Sequence, residues 1–365
     1  MGFPFINLAA QHAEVRQVLE PRVRSIFESG RFIMGEEVSS LESQLAAFCG
    51  TQEAVGVDSG TRALELIWRA LGIGPGDEVI TTPFTFFATV SSILQVGARP
   101  VFADIDPATL NIDPISLAAK IGPKTKAIAV VHLFGLMADM PRILDLAGVI
   151  PVIEDACQSI GASIAGRPAG SWGRAAALSF FPTKNLGGAG DGGMVLTSDP
   201  DLASQVRLLR NHGSPETYRH ETVGCTGRLD ALQAAVLRVK LPFLSEWNAR
   251  RAANALAYDE AFGSAGFLLQ SAPAGFFNVR HQYAFRTSER DSLAAHLKAE
   301  DVPHAIYYPL PAHLQAPLRA LGSQEGDCPY AEEVAGTVLS LPVCPHLDEN
   351  NRRRVIDAVL DWKHR

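Results

Sequence analysis

The sequence predicts an α/β fold: a large domain built on a mostly parallel, seven-stranded sheet, followed by a smaller C-terminal α/β domain. From residue 54 onward, short apolar runs typical of buried strands alternate with segments of helical periodicity. Three polar segments directly follow strand-like runs, and a ligand site in such a sheet lies beyond the carboxyl ends of its strands. With 365 residues, of which 47% are hydrophobic, the chain can form two cores.

The N-terminal segment precedes the alternating region. We expect an arm over residues 1–20, of a kind that can pack across a subunit interface. Apolar residues at helical spacing predict a helix over 15–29 and another over 36–48.

The alternating region forms the large domain, which we bound at residues 21–244. Apolar runs predict strands at 54–58, 78–82, 99–104, 125–132, 149–154, 175–181 and 193–197. Helical periodicity predicts helices between most of them, at 61–71, 86–96, 114–121 and 139–147. Strands that are joined through helices run parallel, so both faces of the sheet are covered.

The pattern changes after residue 197. Helices are predicted at 200–211 and 228–262, and Pro242 is expected to kink or break the second because it has no amide hydrogen. We place the domain boundary there. Residues 245–365 form the predicted smaller domain, with a strand near 280–287 and helices at 290–300 and 349–362.

Composition excludes several classes of protein. The net charge of −7 disfavours a nucleic-acid partner. Five scattered cysteines without a Cys-x-x-Cys spacing indicate neither a metal site nor a disulfide framework, which fits a reducing cytoplasm. The sequence shows no signal-peptide pattern and no apolar run of the roughly 20 residues that span a bilayer, so we expect no membrane partner.

Lys184 follows a buried strand-like run and precedes a glycine-rich loop. A lysine is most often a solvated surface cation, and that is the alternative interpretation. At the end of a buried strand, however, desolvation favours the neutral amine. A neutral amine can form a Schiff base with an aldehyde, and the glycines from Gly187 to Gly193 let the backbone approach a bound group.

The segment Glu154-Asp155-Ala156-Cys157-Gln158 ends another strand-like run. One carboxylate at such a position can simply cap a helix. Beside a Schiff-base lysine, Asp155 can instead keep a pyridinium nitrogen protonated, which makes a pyridoxal ring an electron sink. Gln158, three residues further on, is in a position to reach the ring hydroxyl.

The segment Ser59-Gly60-Thr61 lies between a strand and a helix. Free backbone N–H groups at a helix start form an anion site, and the threonine hydroxyl adds a donor. The alternative is a plain Ser or Thr helix cap. A phosphate site, an aspartate and a lysine, each at a strand end, are more specific together than alone.

These three segments, in this order, resemble those of the DegT/DnrJ/EryC1/StrS family of sugar aminotransferases, and the resemblance covers nearly the whole chain. The other matching segments are Ser29 to Gly35, Gly74 to Val79, Val131 to Gly135, Arg228 to Asp230, His281 to Tyr283 and Tyr308 to Pro311. The resemblance implies the aspartate-aminotransferase type of fold (PLP fold type I) and pyridoxal 5'-phosphate (PLP) as cofactor.

The resemblance also assigns roles to residues around the cofactor. Lys184 moves the proton between the cofactor carbon and the substrate carbon. Gly60, Thr61 and Ser179 contact the phosphate. Phe86 stacks on the ring, with simple core packing as the alternative.

By the same resemblance, the protein is a homodimer with shared active sites. Thr226 stands where the family usually has an asparagine that reaches the cofactor phosphate of the neighbouring subunit. Arg228 lies near the substrate, or else pairs with Asp230 or caps a helix. Tyr307, Tyr308 and His313 fall in a segment that reaches the sugar nucleotide in relatives, with loop packing as the alternative. His281 lines the site or satisfies a strand edge.

The predicted function is that of a PLP-dependent aminotransferase. By resemblance it transfers an amino group from L-glutamate to a keto group of a nucleotide-linked sugar, nearest to the enzymes that aminate C3. The product would serve a surface glycan or a natural product. A non-sugar cyclic ketone as substrate and a non-catalytic PLP-binding regulator are alternatives. A sugar dehydratase is disfavoured because such relatives have histidine in place of the lysine.

Overall fold

The computed structural model describes residues 3–364, so Met1 and Gly2 of the predicted arm and Arg365 of the predicted C-terminal domain lie outside it. The helices are α1 Leu8–Ser29, α2 Glu36–Cys49, α3 Gly60–Ala70, α4 Phe87–Gln95, α5 Pro114–Lys120, α6 Met140–Ala147, α7 Pro200–Leu209, α8 Ala231–Lys240, α9 Leu244–Ser264, α10 Arg290–Ala299, α11 Ala316–Arg319, α12 Pro329–Thr337 and α13 Glu349–Lys363. The strands are β1 Glu53–Val57, β2 Glu78–Thr81, β3 Arg99–Phe102, β4 Thr125–Val131, β5 Val152–Asp155, β6 Ser163–Ile164, β7 Arg167–Pro168, β8 Ala175–Ser179, β9 Gly193–Thr197, β10 Leu268–Leu269, β11 Phe276–Phe277, β12 Tyr283–Arg286 and β13 Val338–Leu341.

Within the described residues, the main sheet has seven strands in the order β1-β9-β8-β5-β4-β2-β3. The pairs β2–β3, β2–β4, β4–β5 and β5–β8 are parallel, whereas β9 runs antiparallel to both of its neighbours. The strand interiors are buried because helices cover both faces. The predicted mostly parallel sheet is confirmed.

This strand order determines which residues meet at one edge of the sheet. The carboxyl ends of β1, β5 and β8 lie at the same edge, where the antiparallel β9 begins. Gly193, the first residue of β9, pairs with both Val57 and Ser179. The three polar segments singled out in the sequence therefore emerge side by side.

The N-terminal helix is longer than predicted. α1 begins at Leu8, and the Asn7 side chain caps it by accepting from the N–H of Ala10 at 3.0 Å. Its buried stripe starts with Gln11 and continues through Val15 and Leu19. Because this stripe begins with a polar residue, the sequence shows no apolar periodicity there. The chain is nevertheless helical from Leu8 onward, so most of the predicted arm is helix.

The long helix predicted over 228–262 is two helices. Residues Leu241–Phe243 form a single 3₁₀ turn between α8 and α9, and Pro242 lies within it. Proline has no N–H to donate and its ring clashes with the preceding turn, so the break predicted at Pro242 is observed.

The C-terminal part has its own sheet and core. β12 pairs antiparallel with β10 and with β13. Aromatic side chains of α9 and β12, among them Tyr258, Phe262 and Phe285, pack there with residues of α10 and α13. The smaller α/β domain is thus present; its boundary after residue 244 remains our proposal.

Candidate active site

A cleft of about 590 Å³ opens at the edge of the sheet where β1, β5 and β8 end. The sequence-predicted residues that line it are Gly60, Thr61, Phe86, Asp155, Gln158, Ser179, Lys184, Tyr307 and Tyr308. His281, for which the sequence left two alternatives, also lines it. Residues from the C-terminal part therefore complete a site that the large domain begins.

The start of α3 forms one wall of the cleft. Ser59 caps the helix by accepting from the N–H of Arg62 at 3.1 Å, so the cap interpretation holds for its hydroxyl. Gly60 is tightly enclosed, because a Cβ there would lie 2.7 Å from Cys157 Sγ and 2.9 Å from Ser179 Cβ. The first turn of α3 and the Ser179 hydroxyl together provide donors for an anion.

Asp155, the last residue of β5, is 6% exposed and directed toward the cleft. The Thr89 hydroxyl donates to its Oδ2 at 2.7 Å, and the N–H of Cys157 donates to Oδ1 at 3.3 Å. Both are neutral donors, so the carboxylate keeps its negative charge available to a bound group.

Glu154 points to the opposite face of β5, as neighbouring strand residues do. Its carboxylate accepts from the N–H groups of Gly170, Trp172 and Gly173 and is hydrogen-bonded to His132 Nε2 at 2.9 Å. Burial alone would raise the pKa of Glu154, but His132 and these donors bring it below its ordinary value. This residue therefore fastens the loop before β8 to the sheet. No local motif in the sequence indicates that role, although strand alternation already separates Glu154 from Asp155.

Lys184 lies in the loop after β8, where its side chain is partly buried in the cleft wall. Burial lowers the pKa of the amine below 10.5, even though Cys157 and Asp155 act in the opposite direction. At a given pH, a larger fraction of Lys184 is therefore neutral than of an exposed lysine. The following loop is held by α8, because Lys240 Nζ donates to the Gly187 carbonyl at 2.7 Å.

Phe86, Gln158 and Tyr308 form a connected group on another wall. Phe86 is 58% exposed, and its ring centroid lies 6.2 Å from that of Tyr308. Gln158 Oε1 accepts from the N–H of Phe134 at 2.8 Å, which turns the Gln158 amide nitrogen toward the Tyr308 hydroxyl at 3.1 Å. Burial raises the pKa of Tyr308, so its hydroxyl stays protonated.

Three of the predicted residues are not in this cleft. Thr226 is exposed and hydrogen-bonded to His212 Nε2 at 2.9 Å, and Arg228 Nη1 donates to Asn211 at 2.9 Å rather than pairing with Asp230. His313 is fully buried beside Phe102, with Nε2 at 2.9 Å from Glu332. The expected place of His313 at the substrate is therefore not observed. The sequence could not reveal the burial, because Glu332 lies in a different helix.

The cleft fits pyridoxal phosphate in its donor set and in its shape. The turn around Gly60 has free helix N–H groups for a phosphate, Asp155 offers a carboxylate for a pyridinium nitrogen, and Lys184 offers an amine with a lowered pKa. Because a Cβ at position 60 would overlap Cys157 and Ser179, only glycine lets the first turn of α3 lie this close to the ends of β5 and β8. Among the described residues, no group of His, Cys, Asp and Glu side chains is placed to hold a metal ion, and none of the helices is long and apolar enough to cross a membrane.

Comparisons with known proteins agree with this geometry. Residues 14–360 match the model of the DegT/DnrJ/EryC1/StrS aminotransferase family. The chain is 44% identical to a pleiotropic regulatory protein of Geobacillus stearothermophilus, over 99% of each chain. It is also 44% identical to a UDP-N-acetyl-3-dehydro-α-D-glucosamine 3-aminotransferase of Acidithiobacillus ferrooxidans, over 100% of this chain and 98% of the other. The crystal structure of DesV from S. venezuelae in complex with a ketimine intermediate superposes with a TM-score of 0.97, at 42% identity over 100% and 99% of the two chains.

Proposed function

Because the chain belongs to the DegT/DnrJ/EryC1/StrS aminotransferase family, whose members are PLP-dependent sugar transaminases, we propose that it aminates C3 of a nucleotide-linked keto-sugar with L-glutamate as donor. The relative from Acidithiobacillus, named for amination at C3 of a UDP-sugar, supports the carbon chosen. The product would be an amino-sugar for a surface glycan or a natural product. The boundary of the smaller domain and the cytoplasmic location belong to the same proposal.

The observation that carries this proposal is the meeting of Lys184 and Asp155 in one cleft, beside the first turn of α3. A lysine with a lowered pKa and a buried carboxylate are the two groups that a transaminase needs at opposite ends of its cofactor. If either group had only a structural role, that role would not explain why the other group lies in the same cleft.

In this proposal each residue has a defined task. Gly60, Thr61 and Ser179 hold the cofactor phosphate, Phe86 covers the ring, and Gln158 faces the ring hydroxyl. When bound, pyridoxal phosphate supplies an electron sink for the carbon that carries the amino group. Asp155 keeps the ring nitrogen protonated. With the cofactor bound, the amine of Lys184 would take a proton from the donor carbon and deliver it to the cofactor carbon.

The proposed substrate contacts come from the cleft itself and from the neighbouring subunit. Tyr307 and Tyr308 lie at the cleft where the sugar would enter. Thr226 and Arg228, which lie outside the cleft of their own subunit, would reach the neighbouring site in a homodimer with shared sites. We propose that Thr226 contacts the cofactor phosphate of the neighbouring subunit and that Arg228 contacts the substrate there.

The first test is an absorbance titration of the cofactor-loaded protein with L-glutamate. We expect the visible band of bound pyridoxal phosphate to disappear with release of 2-oxoglutarate, and a UDP- or dTDP-linked 3-keto-sugar to restore it. Lys184→Ala should remove the band altogether, whereas Lys126→Ala, an exposed change near the start of β4 and so at the end of that strand opposite to the cleft, should preserve it.

Other outcomes of that titration select the alternatives. A protein that holds the cofactor but responds to no amino acid would favour a regulator, a role that the name of the Geobacillus relative suggests for that protein. A protein that responds to L-glutamate but is restored only by a sugar-free cyclic ketone would favour the non-sugar substrate.

A further inference from the structure

His281 has one ring nitrogen that faces the protein and one that is left for the cleft. The side chain is 5% exposed and lines the cleft together with Lys184. Its Nδ1 lies 3.1 Å from Asn185 Oδ1, which belongs to the residue directly after Lys184. Nε2, on the other side of the ring, is therefore the nitrogen available to a group inside the cleft.

Two asparagine side chains determine which nitrogen of His281 carries the proton. Asn248 Nδ2 donates to the Ile160 carbonyl at 3.0 Å, so Asn248 Oδ1 faces Asn185. Asn185 Nδ2 donates to that oxygen at 2.8 Å and to the Val279 carbonyl at 3.1 Å. Asn185 Oδ1 is then the atom that faces His281, and an amide oxygen only accepts. Nδ1 must donate, so Nε2 of the neutral ring has no proton.

The backbone is shaped to allow this arrangement. Gly161 has φ of +87°, and a Cβ there would lie 2.7 Å from Asn248 Nδ2. A side chain at this position would push Asn248 away from the Ile160 carbonyl, and the orientation of the whole chain of amides depends on that hydrogen bond. The direction of these hydrogen bonds therefore depends on Asn248 in α9 and on Gly161 in the turn before β6.

Burial keeps the His281 ring neutral. It lowers the pKa of His281 well below 6.5, and the positive charges of Lys184 and Arg251 lower it further. The first of these charges belongs to the loop after β8 and the second to α9. A neutral imidazole with a free lone pair is an acceptor that brings no positive charge into the cleft.

We propose that His281 is a positioning residue for Lys184: the Asn248–Asn185 pair presents its unprotonated Nε2 to the cleft, where Nε2 accepts a hydrogen bond from the protonated Nζ of Lys184. The inference rests on the proposed role of Lys184 in moving a proton. Each time Lys184 carries that proton, Nε2 holds Nζ at one place in the cleft. A charged imidazolium there would repel the ammonium, and a ring with its proton on Nε2 would offer it no lone pair.

The protonation of His281 is measurable without cofactor or substrate. In protein labelled with [¹⁵N]histidine, long-range ¹H–¹⁵N spectra distinguish the two neutral tautomers, and His281→Asn identifies the signal. We expect a neutral ring with its proton on Nδ1 from about pH 5 to pH 8. In Asn185→Asp a carboxylate would face Nδ1, and His281 should become doubly protonated in that range. A proton on Nε2 in the native protein, or titration of native His281 near its ordinary pKa, would overturn the inference.

The effect on Lys184 is tested in a single half-reaction with the amino acid that converts the cofactor. His281→Asn keeps an amide N–H for Asn185 but has nothing at the Nε2 position, whereas His281→Gln carries an amide oxygen there. We expect the conversion rate to fall about tenfold to a hundredfold in His281→Asn, as for a lost hydrogen bond to a charged group. The dissociation constant of the donor should stay unchanged, and His281→Gln should recover much of the rate. His296→Asn, in α10, is the matched control.

The two tests separate this inference from the proposed function. If the amino donor or the keto-substrate differs from the proposed one, the His281 tautomer and the rate difference between the His281 variants should both remain. An unchanged rate in His281→Asn, or equal losses in both variants together with a lower melting temperature, would show a structural role and overturn it.

Discussion

Adjacent carboxylates at the end of β5 have surroundings that suit different tasks. Three backbone N–H groups and His132 surround Glu154, and they satisfy its charge inside the protein. Asp155 receives a hydroxyl and one long N–H bond, so its charge remains for a ligand in the cleft. One residue stabilises the fold and its neighbour serves the site.

Asp155→Asn should therefore retain the fold and lose turnover. The amide has nearly the same shape, but it has no charge to keep a ring nitrogen protonated. We expect about a hundredfold loss of transamination rate, comparable with the removal of one preorganised electrostatic group from an active site. Single-turnover absorbance with L-glutamate measures this. Exposed Asp145→Asn is the control, and near-normal turnover in Asp155→Asn would contradict the electron-sink role.

Local motifs in the sequence predicted the residues Gly60, Asp155 and Lys184 that line the cleft together, because each of them follows a strand end within a few positions. The contacts of Asn185 were not predicted. Its partners Asn248 and His281 lie 63 and 96 positions further along the chain, and no local pattern encodes such pairing. The same reason explains His313, whose burial depends on a glutamate from another helix.

At the scale of elements, the first turn of α3 depends on the absence of a side chain. Gly60 is enclosed by Cys157 and Ser179, which come from two other strand ends. The helix cannot start with any larger residue without moving away from β5 and β8. The close approach of the anion donors to the ends of β5 and β8 therefore depends on this contact.

Gly60→Ala should weaken cofactor binding more than it weakens the fold. The new methyl group would overlap Cys157 Sγ, and overpacking of this kind costs about 1–3 kcal/mol. We expect the dissociation constant of pyridoxal phosphate, followed by absorbance, to rise at least about tenfold. Gly336→Ala, at an exposed helical position with open space around it, is the control. Adding Cys157→Ala should recover part of the loss, and no recovery would refute the close-contact explanation.

The sequence predicted elements best where their pattern is purely apolar. All strands of the main sheet were found because their interiors are continuous apolar runs. The N-terminal part of α1 was missed because Gln11 occupies the first position of its buried stripe. The two-residue strands β6, β7, β10 and β11 were missed because tertiary pairing, and not a local pattern, forms them.

At the scale of the whole molecule, we propose that two copies of the chain complete each other's sites. Thr226 and Arg228 lie outside the cleft of their own subunit. Large apolar side chains at the end of α1 and in the following turn are exposed, namely Phe27, Phe32 and Ile33, at 62%, 37% and 56%, and the ring centroids of Phe27 and Phe32 lie 5.5 Å apart. Grouped apolar exposure of this kind is typical of an interface.

Mixed dimers test this proposal. Lys184→Ala and Arg228→Ala chains should each be nearly inactive alone. In a dimer that contains one chain of each kind, one of the two sites has both native parts, so random mixing should restore about a quarter of the native activity. Size-exclusion chromatography with activity measurement of each fraction is the readout. An active monomer, or no restoration on mixing, would contradict shared sites.

The antiparallel direction of β9 has a consequence for the order in which the enzyme is made. Of the strands that the structure describes, β1 is the first to leave the ribosome, and in the main sheet as described it pairs with β9 alone. Until residues 193–197 have been translated, β1 has no strand to pair with there, and the turn at Gly60 cannot meet Ser179 across Gly193. At a translation rate of about 5–20 residues per second, β1 waits roughly 7 to 27 seconds for this partner. The part of the cleft that brings Gly60 beside Ser179 is consequently assembled late in biosynthesis, after most of the large domain has been translated.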